Sequence, residues 1–140
     1  MKARVKWVEG MTFVGESGSG HAVVMDGSQE SGGRDLGIRP MEMLLLGMGG
    51  CTAFDVVLIL KRGREPVEDC VVEVEADRAE TDPKIFTHIR VRYVVSGRGL
   101  DRAKVDRAVS LSAEKYCSAS VMLGAMAKIT HEVELVDTAA

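Results

Sequence analysis

Short alternating runs of apolar and polar residues at the start of the chain predict three β-strands. The runs are KARVKWVE, MTFVGE and HAVVMD within residues 2 to 26, and they are separated by Gly10 and by the cluster from Ser17 to Gly20. This spacing is typical of a meander, so we expect an antiparallel N-terminal sheet. Residues 27 to 39 are glycine-rich and polar without an apolar period, which predicts a loop. Loops of this length in compact proteins are more often functional than not.

A long apolar helix is predicted to follow this loop. Pro40 suits the first helical turn and Glu42 complements the positive end of the helix. The helix is expected to run to about Lys61 and to end at Arg62 and Gly63, because cations and glycine mark helix C-termini. Its residues are apolar on nearly every side, which predicts a core helix buried on most of its surface.

Two alternating segments after this helix predict a β-hairpin. Residues 69 to 79 and 84 to 95 each alternate with period two, and Asp82-Pro83 supplies the turn between them. The positions of the first strand expected to face inward are Cys70, Val72, Val74 and Ala76. Those of the second strand are Ile85, Ile89, Val91, Tyr93 and Val95, with Lys84, His88, Arg90 and Arg92 facing outward.

The last third of the chain predicts helix, short helix and strand. Asp101 is the expected N-cap of an amphipathic helix. Its apolar stripe comprises Val105, Ala108, Val109, Ser112 and Tyr116. Cys117 follows directly, SASVMLGAM predicts a short helical segment, and KITHEVELV predicts a closing strand. The hairpin and the segregation of helices from strands favour an α+β protein, and we expect residues 1–140 to form one domain.

Composition argues against several classes of partner and several cellular locations. The chain has 140 residues, is 46% hydrophobic and carries a net charge of −3, so nothing electrostatic favours nucleic acid or an anionic membrane. No run of 18 apolar residues occurs, and the segment MKARVKWVEG lacks the apolar stretch of a signal peptide. We therefore expect a cytoplasmic protein.

The three cysteines are expected to be reduced thiols or redox groups. An odd number in a chain of this size argues against a structural disulfide framework. No CxxC unit is present and the three histidines stand alone, so the spacing contains no zinc signature and we expect no metal.

Cys51 is the first candidate for chemistry. It lies in GMGGCTAFD, in the middle of the predicted helix, where Gly47, Gly49 and Gly50 each cost about 1 kcal/mol relative to alanine. Close approach of another backbone, or a site that needs room, would offset that cost. The alternative is a small core thiol beside a glycine face that packs against another helix.

Cys117 is the second candidate, and Cys70 is not. Cys117 lies between two helical segments, near the expected N-terminus of the second, and this placement favours the thiolate. Its alternative interpretation is a small buried residue at a helix junction. Cys70 is in phase with the valines of its strand, so we interpret it as a packing residue.

This arrangement resembles a known family. A glycine-rich loop, Pro-x-Glu, an apolar helix bearing GGC, and a second helix ending in Cys-Ser before a last strand resemble the OsmC/Ohr family of thiol-dependent peroxidases. The run PMEMLLLGMGGCTAFDVVLILKR most resembles its YhfA-like branch. The resemblance implies antiparallel sheets around a long buried central helix, in an intertwined homodimer with active sites at the subunit junction. An apolar helix too large for one chain to cover gives a physical motive for that dimer.

The resemblance also implies a two-cysteine mechanism. The thiolate of Cys51 attacks the O–O bond of an organic hydroperoxide and becomes a sulfenic acid, and Cys117 resolves it as a disulfide. An external dithiol, in this family often a lipoyl group, then reduces the disulfide. No cofactor is needed, and the implied role is defence against oxidative stress.

The residues that would activate Cys51 match the family less well. In relatives an arginine lowers the thiol pKa and a glutamate directly after the proline holds that arginine. Here Met41 follows the proline and Glu42 comes one place later, about 100° further around the helix. Arg34 and Arg39 are the candidate arginines. We favour Arg34, whose alternative interpretation is a solvated loop charge.

Two further titratable residues have mainly structural interpretations. Asp55 lies one turn beyond Cys51 on the same helical face, and we expect it to pair with a buried arginine or cap a backbone, the alternative being a role at the site. His131 occupies an inward position on the last strand, and we expect a core or interface histidine.

Three hypotheses for function therefore remain. The first is a thiol peroxidase acting on organic hydroperoxides. The second is a binding module or redox sensor whose pocket holds a small apolar molecule, motivated by the displaced Glu42 and the unassigned arginine. The third is a structural homodimer with inert buried thiols.

Overall fold

A computed structural model describes residues 1–139 of the chain. The chain divides into two compact units, one comprising Met1–Leu45 and the other beginning at Leu46. The assignment of a single domain stays a prediction.

The first unit contains the predicted antiparallel sheet. Its strands are β1 (Ala3–Glu9), β2 (Thr12–Ser17) and β3 (Ala22–Met25), paired in the order β1-β2-β3. Both pairings are antiparallel. The prediction of three short N-terminal strands is confirmed.

A buried carboxylate organises the loop after β3. Asp26 is 2% exposed and accepts hydrogen bonds from the Thr12 hydroxyl and from the backbone N–H groups of Gly27, Arg34 and Leu36. Burial acts to raise the pKa of this carboxyl, but these hydrogen bonds outweigh burial and lower it. The loop predicted without regular structure is therefore held by hydrogen bonds to one buried carboxylate. It contains a 3-10 turn at Gln29–Ser31.

The predicted long helix is present as α1 (Pro40–Arg62), with both ends where the sequence places them. At its start the Glu42 carboxylate accepts a hydrogen bond from the Arg39 backbone N–H at 2.8 Å, which satisfies a helix-terminal donor. Its buried positions, spaced to form one stripe, are Met48, Gly49, Thr52, Val56 and Leu60. Phe54, by contrast, is 70% exposed, so burial on most sides is not confirmed for a single chain.

Helix α1 is also long and apolar enough, by length and composition alone, to cross a membrane. Core helices of soluble proteins pass the same test, and 28% of its most apolar window is buried within this chain. The test is therefore weak evidence, and the absence of a membrane partner stays a prediction.

The second unit contains a mixed sheet of order β4-β5-β6, formed by β4 (Val67–Arg78), β5 (Phe86–Gly97) and β6 (Lys128–Asp137). β4 and β5 form the predicted antiparallel hairpin, but β5 and β6 pair in parallel. The expectation of antiparallel sheets throughout is thus wrong for this pair. Helices α2 (Arg102–Leu111) and α3 (Ser118–Gly124) connect β5 to β6, and such a crossover returns the chain in the same direction.

The core of the second unit follows the predicted inward positions with three exceptions. The buried members are Ile89, Val91, Tyr93 and Val95 of β5 and Val105, Ala108 and Val109 of α2. Ile85 precedes β5 and is 39% exposed, and His131 is exposed on β6, so core packing is wrong for both. The interface alternative for His131 stays a prediction. Tyr116 is 52% exposed because α2 widens into a π turn at Ser112–Tyr116, which moves this residue off the apolar stripe.

The outer face of this sheet carries ion pairs. Arg90 pairs with Asp77, and Arg92 contacts Glu73 and Glu134. These arginines face outward as predicted. Exposed pairs of this kind contribute little stability individually, but they keep this face polar.

Candidate functional site

The second unit brings Cys51, Asp55 and Cys117 together. Their sulfur and carboxylate ligand atoms all lie within 4.8 Å of one another. Cys51 and Asp55 are one turn apart on α1, on the same face of the helix. Cys117 comes from the junction between the π turn and α3, far away along the sequence. Cys51 and Asp55 are partly exposed and Cys117 is buried, so solvent reaches the cluster from the side of α1.

The glycines around Cys51 divide into two kinds. A Cβ added at Gly49 would lie 3.5 Å from a methyl carbon of Val74, so this glycine packs against β4. A Cβ added at Gly47 or Gly50 would meet nothing within 4 Å. The predicted close approach of another backbone is therefore not present at these three glycines: Gly49 meets side chains at ordinary van der Waals distance, and the other two leave an open helix face.

Cys117 caps the short helix that follows it. Its sulfur accepts hydrogen bonds from the Ser120 backbone N–H at 3.3 Å and from the Ser120 hydroxyl at 3.0 Å. The side chain is 0% exposed. Burial raises the pKa of this thiol, the Ser120 hydrogen bonds oppose that rise, and the neighbouring Cys51 adds to it. The expectation that the placement favours a thiolate at Cys117 is wrong, because burial outweighs the helix-terminal donors.

A buried chain of hydroxyl groups supports the cluster. The Asp55 carboxylate accepts a hydrogen bond from the Ser112 hydroxyl at 2.9 Å. Ser112 is hydrogen-bonded to the Thr52 hydroxyl at 2.8 Å, and Thr52 to the Tyr93 hydroxyl at 2.7 Å. Buried networks of this kind specify one arrangement of the side chains when every member is satisfied. The network therefore holds the orientation of Asp55 beside the two sulfurs.

Asp55 has a different partner from the one expected. Its carboxylate is bonded to Ser112 rather than to an arginine or a backbone group. Among the described residues from Leu46 onward, no lysine, arginine or histidine nitrogen lies within ion-pair distance of it. Because no cation in the second unit pairs with the Asp55 carboxylate, this carboxylate can interact with a group bound beside the two sulfurs.

Arg34, Arg39 and Glu42 have local partners in the first unit. Arg34 lies 3.8 Å from the Glu9 carboxylate, and both side chains are largely exposed. Arg39 pairs with Asp35, which together with neighbouring carboxylates raises the pKa of the guanidinium. Glu42 caps α1 through the backbone of Arg39. The catalytic roles expected for Arg34 and Glu42 stay predictions.

Cys70 lies on β4, opposite Val95 in the sheet register. It is half-buried, and burial together with the adjacent Asp69 raises the pKa of its thiol. This position agrees with the packing role, and it makes Cys70 a matched control for substitutions of the other two cysteines.

The roles of four supporting residues were not predicted. The sequence pattern places Thr52 and Ser112 in helices and Tyr93 on the inward face of a strand, whereas the structure shows that their hydroxyl groups form one network. Ser120 had a usable signal, because a residue three places after an N-cap supplies the backbone N–H that the cap accepts. The other three residues contact partners in separate elements, so no local sequence pattern predicts these contacts.

At neutral pH, iodoacetamide is expected to label Cys51 well before Cys117 in the folded reduced protein. Cys117 is buried, and each unit by which its pKa rises lowers its thiolate fraction about tenfold. Since the folded state favours the neutral thiol, labelling of Cys117 should still accelerate with pH above about 8.5, where an ordinary cysteine levels off.

Peptide mass mapping over a time course measures both rates, with urea-unfolded protein as the control that labels both cysteines alike. Equal native rates at neutral pH would contradict this assignment of exposure and pKa. A Cys51 that resists labelling would instead support the structural homodimer with inert thiols.

Fold and site define an α+β thiol protein whose two cysteines meet beside its longest helix. The sequence profile of the family described as "OsmC-like protein" matches residues 32–132. The chain is 54% identical over 136 residues to Protein YhfA of Escherichia coli strain K12, covering 97% of this chain and 98% of that protein. The chain therefore belongs to the OsmC family, which confirms the predicted family and its YhfA-like branch.

Solved structures share the fold. An OsmC-like protein from Mycoplasma pneumoniae superposes with a TM-score of 0.82 at 15% identity, over 96% of both chains. The Organic Hydroperoxide Resistance Protein OhrB of Bacillus subtilis superposes with a TM-score of 0.63 at 20% identity, over 96% of this chain and 98% of that one. At these identities the likeness establishes the α+β architecture with its two small sheets.

Proposed function

We propose that this protein is a thiol-dependent peroxidase that reduces organic hydroperoxides. The observation that carries the proposal is the approach of Cys51 to Cys117 within 4.8 Å, with Cys51 partly exposed and Cys117 buried. A peroxide must reach the attacking sulfur, whereas the resolving sulfur needs only to reach its partner. The difference in exposure supports attack by Cys51 and resolution by Cys117.

The reaction has three balanced steps. The Cys51 thiolate attacks the distal oxygen of ROOH, the O–O bond breaks, and a proton from solvent completes the alcohol ROH while Cys51 becomes a sulfenic acid. The Cys117 thiol then displaces this hydroxyl as water and forms a disulfide. An external dithiol, such as a lipoyl group, reduces the disulfide by exchange and is itself oxidised to a disulfide.

The disulfide step requires a small movement. A disulfide has an S–S length of about 2.05 Å, so the two sulfurs, which lie within 4.8 Å of each other, must move closer together before the bond forms. The name of the Bacillus subtilis relative refers to organic hydroperoxide resistance, and this supports the same substrate class here. Defence against oxidative stress in the cytoplasm is the corresponding physiological role.

Thiol counting tests this proposal. Reduced protein mixed with one equivalent of an organic hydroperoxide such as cumene hydroperoxide should lose two free thiols and gain one disulfide between Cys51 and Cys117, identified by peptide mass mapping. Added dihydrolipoamide should restore both thiols and sustain consumption. Loss of one thiol only, or a disulfide that includes Cys70, would contradict the two-cysteine mechanism.

We also propose that the protein works as a homodimer through the exposed face of α1. Leu46 and Phe54 are exposed there, and Gly47 and Gly50 leave that face open to a close neighbour. Exposed apolar surface of this kind in a monomer usually marks an interface. A second copy of the same helix is the occupant that fits, because a twofold contact places the same small and apolar residues on both sides.

Phe54→Arg is expected to convert the dimer to a monomer, because a cation placed at the centre of an apolar helix contact loses its hydration. Light scattering coupled to gel filtration measures the mass. Val71→Arg is the matched control, since Val71 is also exposed but neighbours the charged outer face of β4 and β5. Equal masses for wild type and Phe54→Arg would contradict the interface.

A binding or redox-sensing protein without turnover is the second candidate. The observation that favours it is that Arg34, Arg39 and Glu42 each have a local partner in the first unit. An attacking thiol with no dedicated cation reacts slowly with peroxide. This candidate predicts one round of oxidation without sustained dithiol-dependent consumption, so the recycling arm of the thiol-counting experiment separates the two.

A further inference from the structure

The cluster of Cys51, Asp55 and Cys117 has the composition of a metal site. The spacing of these residues along the chain does not match any metal-binding motif. Two thiols and one carboxylate are a ligand set that borderline-soft divalent ions accept, and zinc above all. The spacing of these residues along the chain predicts no metal, because they form no local motif. Tertiary structure brings an i, i+4 pair on α1 together with a distant third ligand, which is how helix-based zinc sites are assembled.

The dimensions of the cluster suit tetrahedral coordination. With Zn–S near 2.3 Å and Zn–O near 2.1 Å, ligand atoms around one ion lie about 3.6 to 3.8 Å apart. The three ligand atoms here all lie within 4.8 Å of one another without an ion. A contraction of roughly 1 Å, within the reach of side-chain rotation, would close the site.

Neighbouring hydroxyl groups already orient two of the three ligands. Ser112 donates to one oxygen of Asp55, which leaves the other oxygen available to an ion. Ser120 donates to the sulfur of Cys117 through both its backbone N–H and its hydroxyl, and such donors stabilise a metal-bound thiolate. Outer hydrogen bonds of this kind are a usual part of zinc sites.

We propose that the reduced protein binds one Zn²⁺ per chain through the Cys51 sulfur, a carboxylate oxygen of Asp55 and the Cys117 sulfur. The fourth position is open to water or to an external thiol, because Cys51 and Asp55 are partly exposed. Binding releases the two thiol protons to solvent, so affinity rises with pH.

Zinc and the disulfide exclude each other at this site. Oxidation of the two thiols to a disulfide removes both thiolate ligands, and the ion must leave. The bound ion in turn holds both sulfurs and blocks their alkylation. The site therefore couples metal occupancy to thiol oxidation, whichever oxidant supplies the change.

Titration with Co²⁺ under anaerobic conditions tests the proposal, because thiolate ligation gives a sulfur-to-cobalt charge-transfer band and tetrahedral geometry gives strong visible bands. The reduced wild type should bind one Co²⁺ per chain, and Zn²⁺ should displace it completely. Competition with a chromophoric chelator then gives the Zn²⁺ affinity. Cys70→Ser is the matched control and should bind like the wild type.

Four further samples test the ligands and the hydrogen bonds that support them. Cys51→Ser and Cys117→Ser should each lose the charge-transfer intensity of one thiolate and at least about a hundredfold in affinity. Ser112→Ala, which removes the hydrogen bonds of this hydroxyl to Asp55 and Thr52 but no proposed ligand, should lose roughly tenfold. Protein oxidised with diamide, which converts the dithiol to a disulfide without any peroxide chemistry, should bind no metal.

Circular dichroism checks that each variant is folded. If a cysteine variant does not fold, Ser112→Ala still tests the site, because it keeps both thiols. Absence of a charge-transfer band in the reduced wild type would overturn the proposal, as would binding that survives removal of either Cys51 or Cys117. None of these measurements uses a hydroperoxide or a dithiol substrate, so their outcome is independent of peroxidase activity.

Discussion

Replacement of Cys51 by serine is expected to reduce dithiol-dependent hydroperoxide consumption to the uncatalysed background, a loss of roughly a thousandfold or more. A serine hydroxyl is not ionised at neutral pH and cannot accept the peroxide oxygen, so neither the sulfenic acid nor the disulfide forms. Steady-state consumption of cumene hydroperoxide in the presence of dihydrolipoamide measures the effect. The side chain is partly exposed, so we expect little change in folding stability.

Cys70→Ser serves as the control, because it removes the same atom from a half-buried strand position outside the cluster. It should retain activity near that of the wild type. Undiminished turnover by Cys51→Ser would rule out Cys51 as the attacking sulfur and, with it, the proposed mechanism.

Cys117→Ser is expected to separate the two chemical steps. The first oxidation of Cys51 should proceed, but the sulfenic acid has no neighbouring thiol and accumulates. Turnover should fall by at least about a hundredfold, because a positioned intramolecular thiol acts at a far higher effective concentration than a millimolar external dithiol. Trapping with dimedone followed by mass spectrometry detects the sulfenic acid on Cys51, and peroxide consumption measures the turnover.

Serine is the suitable replacement here because it keeps a small polar cap for the backbone N–H of Ser120. The Cys51→Ser variant, which cannot form the adduct, is the negative control for trapping. A Cys117→Ser protein that recycles as fast as the wild type would show that the external dithiol attacks the sulfenic acid directly. The buried thiol would then be a packing residue.

Local patterns account for most of the secondary structure of this protein. Helix α1 begins at Pro40 and ends at Arg62 as the terminal signals predict, and Asp101 caps α2 as expected. Period-two alternation identified Ile89, Val91, Tyr93 and Val95 of β5 as buried. These features depend on residues close together in the chain, and a single sequence contains all the information that they require.

The errors arise where distant segments meet. The parallel pairing of β5 with β6 depends on where the two helices between them return the chain. No residue pattern within β6 predicts the direction in which this strand runs. The widened turn at Ser112–Tyr116 interrupts the helical period that predicted a buried Tyr116. The pKa of Cys117 depends on burial by other elements, which outweighs the nearby helix-terminal donors.

The chain alone thus predicted both ends of α1, the family and the two candidate cysteines, because each depends on short-range periodicity or on a motif. Packing alone brought Cys117 to Cys51 and Asp55, joined Thr52 to Tyr93 by a hydrogen bond, and made one thiol partly exposed and the other buried. The physical reason is that exposure, proton affinity and metal-ligand geometry are set by atoms from several elements at once, and their positions exist only after the chain has folded.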